Sequence, residues 1–165
     1  MELSSTQKGA LAENIVSNEL MIETKGRLSP FKPMADDDGI DVLIYDKLTI
    51  RSVPLQIRSS TNTIKKRGKQ ERSNTAYFEL KKSALKKERK AFLLCVLLKQ
   101  NMKTAERAWL FPLDQLHKIA SKGKDKYIIR ANKQLSTKDK FKNYQCESIK
   151  EVAKRLIKYF EEKST

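Results

Sequence analysis

Residues 91–98, AFLLCVLL, limit the fold of this chain more than any other stretch, because all eight are apolar. A strand with one solvated face alternates apolar and polar residues, whereas a continuous apolar run is typical of a strand buried on both faces. We therefore predict a central strand at Phe92–Leu98, with Arg107–Phe111 as its neighbour, ending at Pro112. The run is too short to span a bilayer, which takes about 20 apolar residues.

Two shorter apolar runs precede the central strand, at Ile40–Tyr45 and Val53–Ile57. A turn-like connection that contains Asp46 and Lys47 separates them. Runs of this length on either side of a short polar connection predict a β-hairpin.

The predicted hairpin carries a group of polar side chains. Successive strand residues point to opposite faces, so Gln56 and Arg58 share the face opposite Leu55 and Ile57. Pairing of the two strands would bring Asp41 back opposite the neighbourhood of Gln56. An acid, an amide and a guanidinium would then form one patch. The alternative is that these residues simply face water, as one side of an antiparallel sheet commonly does.

The remaining predicted elements follow from periodicity, capping residues and turn signals. They are a helix at residues 4–20, an extended piece at Leu20–Thr24, a loop at residues 29–39 marked by Pro30 and Pro33, a strand at Tyr77–Leu80, a basic helix at Lys81–Lys90, a short helix at Asp114–Ala120, a strand at Tyr127–Ile129 and an amphipathic helix at Ser148–Glu162. No repeat or linker interrupts the chain, so residues 1–165 are predicted to form a single domain.

The formal net charge is +15, which favours a nucleic acid or an anionic surface as partner. The polar segment 59–74 is predicted to be a loop. Between residues 64 and 90, eleven Lys and Arg face three Glu, a local excess of +8. Clustered cations of this kind suit contacts with DNA phosphates. The alternative is a solvated charge run.

Several chemistries are excluded by what the sequence lacks. It has one histidine and two cysteines without metal-type spacing, and no GxxxxGK, GxGxxG or GxSxG motif. Hydrolysis would therefore have to use carboxylates and a hard metal ion such as Mg²⁺. The N-terminus does not resemble a signal peptide, so we expect a soluble cytoplasmic protein without a membrane partner.

An acidic run, Asp36, Asp37 and Asp38, precedes Gly39 and the first hairpin strand. Three carboxylates would repel phosphate unless a cation bridged them. Asp and Gly are also common in turns, so a turn and a metal-binding role are both open.

The order of helix, hairpin, basic helix and buried strand resembles the PD-(D/E)xK nuclease superfamily, which is restriction-endonuclease-like and Holliday-junction-resolvase-like. Glu13 in ALAENIV matches the helix Glu of that family, and Asp41 in GIDVLI matches its strand Asp. Gln56-Ile57-Arg58 in PLQIRSS stands where (D/E)-x-K would be. The resemblance covers roughly residues 6–112 and implies an α/β fold with a central mixed β-sheet flanked by helices.

The resemblance implies a metal-dependent DNA endonuclease that uses Mg²⁺ or Mn²⁺. Asp41, Gln56 and Glu13 would hold the metal, and Arg58 would orient water or neutralise the phosphate. Arginine cannot act as a general base, in contrast to the lysine of the family. The DNA, duplex or branched, would contact a set of polar and basic residues: Ser59, Ser60, Lys65, Lys66, Arg67, Lys69, Arg72, Lys81 and Lys82.

The family resemblance also allows a homodimer or a higher homo-oligomer. Two other functions stay open at this point. One is a non-catalytic nucleic-acid-binding module on the same fold, in which Gln56 and Arg58 read bases. The other is a basic interaction protein with an unrelated α/β fold.

Overall fold

The computed structural model of this protein describes residues 3–34, 39–64, 73–84 and 90–163. The helices are α1 (Ser5–Glu23), α2 (Leu116–Ile119) and α3 (Ile149–Glu162). The strands are β1 (Leu28–Phe31), β2 (Val42–Asp46), β3 (Arg51–Ser60), β4 (Thr75–Lys81), β5 (Phe92–Leu98), β6 (Ala105–Pro112), β7 (Ser121–Lys122), β8 (Lys126–Asn132) and β9 (Gln145–Cys146). None of the helices in these ranges combines the length and apolar composition needed to cross a membrane.

The central sheet is mixed and has the strand order β1-β2-β3-β5-β6-β9. Strands β2 and β3 form the antiparallel hairpin, with Val42 opposite Leu55. Strands β3 and β5 run parallel, so the chain must cross over between them, and it does so through β4. A second sheet, with the order β4-β8-β7, lies beside the central one.

Two hydrophobic cores cover the two faces of the central sheet. Helices α1 and α3 pack on one face, where Leu55 and Ile57 of β3 join Leu94 and Val96 of β5. The second sheet packs on the other face, against the β5 residues that alternate with these and against Trp109 of β6. Strand β5 is therefore buried on both sides, which confirms the prediction from its apolar run.

The second sheet explains why the chain does not need helices on both faces. Its inward residues include Phe78 on β4 and Ile129 on β8, which alternate with outward residues that are polar except for Ile128. An amphipathic sheet buries apolar area as well as an amphipathic helix does. The predicted mixed α/β architecture is confirmed, with this sheet as an additional layer.

Several predicted element boundaries were wrong. The piece Leu20–Thr24 is not extended, because α1 continues to Glu23 and buries Leu20. The first extended segment is β1, which falls in the predicted Pro-containing loop. The predicted basic helix Lys81–Lys90 is a strand end at Lys81 followed by one 3₁₀ turn, Lys82–Ala84, and residues 85–89 lie outside the described residues. Strand β8 is longer than predicted, and β9 follows it.

A buried ion pair fixes the far end of the hairpin. Asp46 has no exposed surface, and its two carboxylate oxygens accept hydrogen bonds from Arg27 Nε at 2.9 Å and Arg27 Nη2 at 3.0 Å. Thr49 Oγ1 and the Leu48 N–H also donate to this carboxylate. Burial alone would raise the pKa of Asp46, but these hydrogen bonds outweigh it and lower the pKa.

Candidate active site

Asp41 lies at the opening of β2, one residue before the strand begins. Its N–H donates to Leu55 O at 3.1 Å, which extends the hairpin ladder past Val42. Its carboxylate Oδ2 accepts a hydrogen bond from the Ile57 N–H. The Asp41 side chain is only 13% exposed, so the hairpin holds a nearly buried carboxylate against the middle of β3.

Gln56 lies on β3 with its side chain on the face of the second core, paired in register with Leu93 of β5. The residue is 3% exposed, and its amide atoms, Oε1 and Nε2, have no hydrogen-bond partner within the described part of the chain. A buried polar group without a partner is destabilising by about 1–3 kcal/mol. Such groups are rare in folded proteins and call for a specific explanation.

Gly39 explains how the chain passes over Gln56. The Gly39 backbone has φ +66°, a conformation that side chains disfavour, and a Cβ added there would lie 3.3 Å from Gln56 Nε2. Glycine therefore allows the segment before β2 to pack directly on the amide. The sequence signal was the Gly within DDDGID, which the sequence analysis treated only as part of a turn.

Arg58 follows Gln56 by two residues on the same face of β3, as predicted. Its Nη1 donates to Ile57 O at 2.9 Å and lies 3.7 Å from Asp41 Oδ2. In register, Arg58 pairs with Cys95 of β5. Burial raises the pKa of the Cys95 thiol well above its ordinary value, so the neighbour of Arg58 on that side is neutral. The guanidinium thus directs its charge toward Asp41.

The structure therefore brings together three of the four predicted catalytic residues. The fourth, Glu13 on α1, forms an ion pair with Lys32, in which Glu13 Oε2 and Lys32 Nζ are 3.2 Å apart. Lys32 Nζ also donates to Asn14 Oδ1 at 2.8 Å. No hydrogen bond or ion pair joins Glu13 to Asp41, Gln56 or Arg58 among the described residues. Lys32 was not predicted from the sequence as the partner of Glu13.

The predicted DNA-binding residues are distributed over several places. Ser60 shares the face of Gln56 and Arg58, whereas Ser59 points to the opposite face, with Ile57. Ser60 Oγ donates to Asn62 O and accepts from the Asn62 N–H. Lys81 is exposed at the end of β4. Lys82 Nζ donates to Lys124 O at 3.0 Å.

Some predicted site residues lie outside the described residues: Asp36, Asp37, Asp38, Lys65, Lys66, Arg67, Lys69 and Arg72. Within the described ranges, no group of three or more His, Cys, Asp or Glu side chains is close enough to hold a metal ion. The oxygen donors brought together there are the Asp41 carboxylate and the Gln56 amide.

A cleft of about 330 Å³ lies away from these residues, between the start of β5, the end of β6 and the end of α3. Its lining includes Lys90, Phe92 and Tyr159, and none of the predicted catalytic residues. We place the candidate chemistry at the hairpin, because Asp41, Arg58 and the unpartnered Gln56 amide lie together there.

By sequence, no family model and no curated protein matches this chain. By structure, it is similar to the bacterial homing endonuclease I-Ssp6803I, with a TM-score of 0.61 at 15% identity over 98% of this chain and 97% of that one. It is also similar to Hjc, a Holliday junction resolvase from Archaeoglobus fulgidus, with a TM-score of 0.47 at 11% identity over 82% of this chain and 98% of that one.

The similarity to I-Ssp6803I extends over nearly the whole chain. The protein therefore has the restriction-endonuclease-like fold that the sequence motifs predicted. At this level of identity the comparison establishes the fold, and the function has to be argued from the site.

Proposed function

We propose that this protein is a metal-dependent DNA endonuclease that hydrolyses phosphodiester bonds. One observation carries the proposal. Gln56 presents a buried amide without a hydrogen-bond partner on the strand that also holds the Asp41 carboxylate, in a fold shared with a homing endonuclease. The hairpin pattern of the sequence predicts the same two side chains in one patch.

The donor atoms fit a hard divalent cation. Mg²⁺ prefers oxygen ligands and typically binds through one or two carboxylates, keeping several waters. The Asp41 carboxylate and the orphaned Gln56 Oε1 supply one anionic and one neutral oxygen of this kind. A bound Mg²⁺ or Mn²⁺ would supply an activated water and stabilise negative charge on the phosphate. Glu13 would contribute only after separating from Lys32, so we propose Asp41 and Gln56 as the principal ligands.

Arg58 has a different role from the lysine that the family motif would place here. A guanidinium stays protonated, so it does not take a proton from water. It does stabilise negative charge that develops on a phosphate oxygen. At 3.7 Å from Asp41 Oδ2 it also competes with a metal ion for that carboxylate, so we expect weaker metal binding than with two acidic ligands.

Substitution of Arg58 tests this competition. We expect Arg58→Lys to preserve or raise cleavage and to lower the Mg²⁺ concentration at half-maximal rate, because an ammonium group withdraws from the carboxylate more readily. The measurement is a metal titration of nicking on supercoiled DNA. Complete loss of cleavage in Arg58→Lys would show instead that the planar guanidinium contacts a particular phosphate or base.

A second candidate function is a non-catalytic nucleic-acid-binding module on this fold. The contact between Arg58 and Asp41 favours it, because that contact neutralises the only carboxylate brought to the amide within the described residues. In that case the protein binds DNA and cuts nothing.

One assay separates the two candidates. Purified protein is incubated with supercoiled, linear and branched DNA in Mg²⁺ or Mn²⁺, beside Asp41→Ala. Asp114→Ala, which removes an exposed carboxylate near the cleft described above, is the matched control. Cleavage that is lost in Asp41→Ala and kept in Asp114→Ala supports the endonuclease. Binding without cleavage in every sample supports the module.

A further inference from the structure

The outer face of the second sheet carries a cluster of basic residues. Three exposed or half-exposed cations, Lys81 on β4 and Lys126 and Arg130 on β8, point away from the core, and one carboxylate, Glu79, lies among them. Register pairs Lys81 with Lys126. Of these residues, only Lys81 was predicted from the sequence to contact DNA.

The side chains of this face are held by one another. Register pairs Tyr77 with Arg130, and the Arg130 guanidinium lies over the Tyr77 ring, 5.6 Å from its centroid. The Tyr77 hydroxyl donates to Glu79, and Lys126 Nζ lies 2.6 Å from Glu79 Oε1. Hydrogen bonds from Lys126 and Tyr77 lower the pKa of Glu79. Lys126 and Arg130 are thus partly ordered before any ligand arrives, which reduces the entropy lost on binding.

This surface lies on the side of the central sheet toward which Gln56 and Arg58 point. The second sheet packs on that face of β5 and β6, and Ala76 of β4 bridges to Thr63, just beyond the end of β3. Helices α1 and α3 occupy the opposite face. A duplex bound at the candidate site would therefore approach from the side of the second sheet.

We propose that the outer face of β4 and β8, defined by Tyr77, Lys81, Lys126 and Arg130, binds the DNA duplex backbone. The inference rests on the proposed function and adds the surface that holds the substrate. Charge complementarity selects the occupant, because three spaced cations on a chain of net charge +15 match a row of phosphates.

The test compares two triple substitutions that remove the same charge from opposite sides of the molecule. One is Lys81→Gln/Lys126→Gln/Arg130→Gln. The matched control is Lys150→Gln/Lys154→Gln/Lys158→Gln, on the exposed side of α3. Binding of a labelled DNA duplex is measured at about four or five salt concentrations between roughly 50 mM and 300 mM. EDTA is present so that no cleavage takes place.

Loss of three phosphate contacts should make the plot of log association constant against log salt concentration shallower by about 2–3. It should also weaken the affinity roughly 10²- to 10³-fold near 0.1 M salt. The α3 variant should leave the slope unchanged and should change the affinity by no more than about threefold, because its charges lie outside the interface. Equal losses in the two variants would overturn the inference and leave only a general charge effect. Tighter binding of an RNA duplex through the same three residues would overturn the choice of DNA.

A gain of binding provides a readout that misfolding does not imitate. Glu79→Gln removes the carboxylate that pairs with Lys126. We expect about 3- to 10-fold tighter duplex binding, because the substitution removes a negative charge that repels phosphates and competes with them for Lys126. Weaker binding of Glu79→Gln would contradict the inference. A wild-type protein that binds no DNA even at low salt would refute the proposed function itself, whereas binding that depends on α3 would refute only this surface.

Discussion

Gln56 and Gln145, the two buried glutamines among the described residues, allow a direct test of the candidate site. Gln56 is 3% exposed and makes no hydrogen bond within the described residues. Gln145, on β9, is 4% exposed. Its Nε2 donates to Asn132 O at 2.9 Å and Gln134 O at 3.2 Å, and its Oε1 accepts from Lys142 Nζ. Substitution by methionine, which has a similar size and shape, should therefore act in opposite directions at the two positions.

We expect Gln56→Met to raise the free energy of unfolding by about 1–3 kcal/mol, because it removes a buried polar group that has no partner. At about 2–4 °C per kcal/mol for a chain of this size, the melting temperature should rise by about 2–12 °C. Gln145→Met should lower the free energy of unfolding by about 1–3 kcal/mol, since it leaves its partners unpaired. Urea unfolding in EDTA, with linear extrapolation, measures both.

The same variants test whether Gln56 serves a cation without measuring cleavage. A ligand that binds only the folded state stabilises it by RT ln(1 + [L]/Kd), about 1.4 kcal/mol at about ten times its dissociation constant. Mg²⁺ or Mn²⁺ should stabilise the wild type and Gln145→Met, and should stabilise Gln56→Met much less. Destabilisation by Gln56→Met as large as that by Gln145→Met would refute the view that the Gln56 amide is unpaired.

Three further predictions concern the hairpin and the segment before it. Gly39→Ala should lower the free energy of unfolding by about 1 kcal/mol, because the backbone has φ +66°. Cleavage should fall by more than this loss of stability explains, because the added Cβ displaces Gln56. Unchanged cleavage would contradict this prediction. Asp46→Asn should cost about 1.5–3 kcal/mol in urea unfolding at neutral pH by weakening the Arg27 pair. Because the pKa of Asp46 is lowered on folding, this difference should shrink as the pH falls below about 4 and disappear below the lowered value; a constant difference would be inconsistent with it. Ile50 is 75% exposed and has φ +56°, a backbone conformation that asparagine adopts more readily than isoleucine. Ile50→Asn should therefore raise the free energy of unfolding, measured by thermal melting, by about 1 kcal/mol. A lower free energy of unfolding would show that the Ile50 side chain is stabilised by packing.

The parts of the fold that were predictable are those fixed by local pattern. The bounds of β5 were predicted correctly because seven apolar residues in a row have only one low-energy environment, a sheet interior covered on both faces. The start of α1 was predictable from Ser4, which accepts from the Gln7 N–H while the Gln7 side chain accepts from the Ser4 N–H.

Other parts depend on tertiary contacts that leave little trace in the sequence. Helix α1 continues to Glu23 because Leu20 is buried against the central sheet, and helix propensity near Thr24 does not reveal that. The basic residues after Lys81 suggested a helix, but β4 pairs with β8 along its whole length, through Lys81. Pairing partners so distant in sequence are decided by the packing of the second sheet.

The candidate site likewise has features that the local sequence pattern predicts and features that depend on tertiary contacts. Hairpin register alone placed Asp41 opposite Gln56, and strand alternation placed Arg58 beside it. The ion pair that holds Glu13 depends on the position of Lys32 after β1, a strand that was predicted to be loop. The burial of Gln56 beneath Gly39 depends on the path of the chain before β2.

The charges at the site have a consequence for the order of binding. With an acid at position 56, two carboxylates would repel DNA phosphate until a metal ion bridged them. Here the amide of Gln56 is neutral, and Arg58 lies 3.7 Å from the Asp41 carboxylate, so these three groups sum to zero charge without any ion. DNA should therefore bind in EDTA about as well as in Mg²⁺, with the cations of the second sheet supplying most of the affinity. The metal ion would then be needed for the chemical step and not for capture of the duplex, so that binding and cleavage are separable by chelation alone.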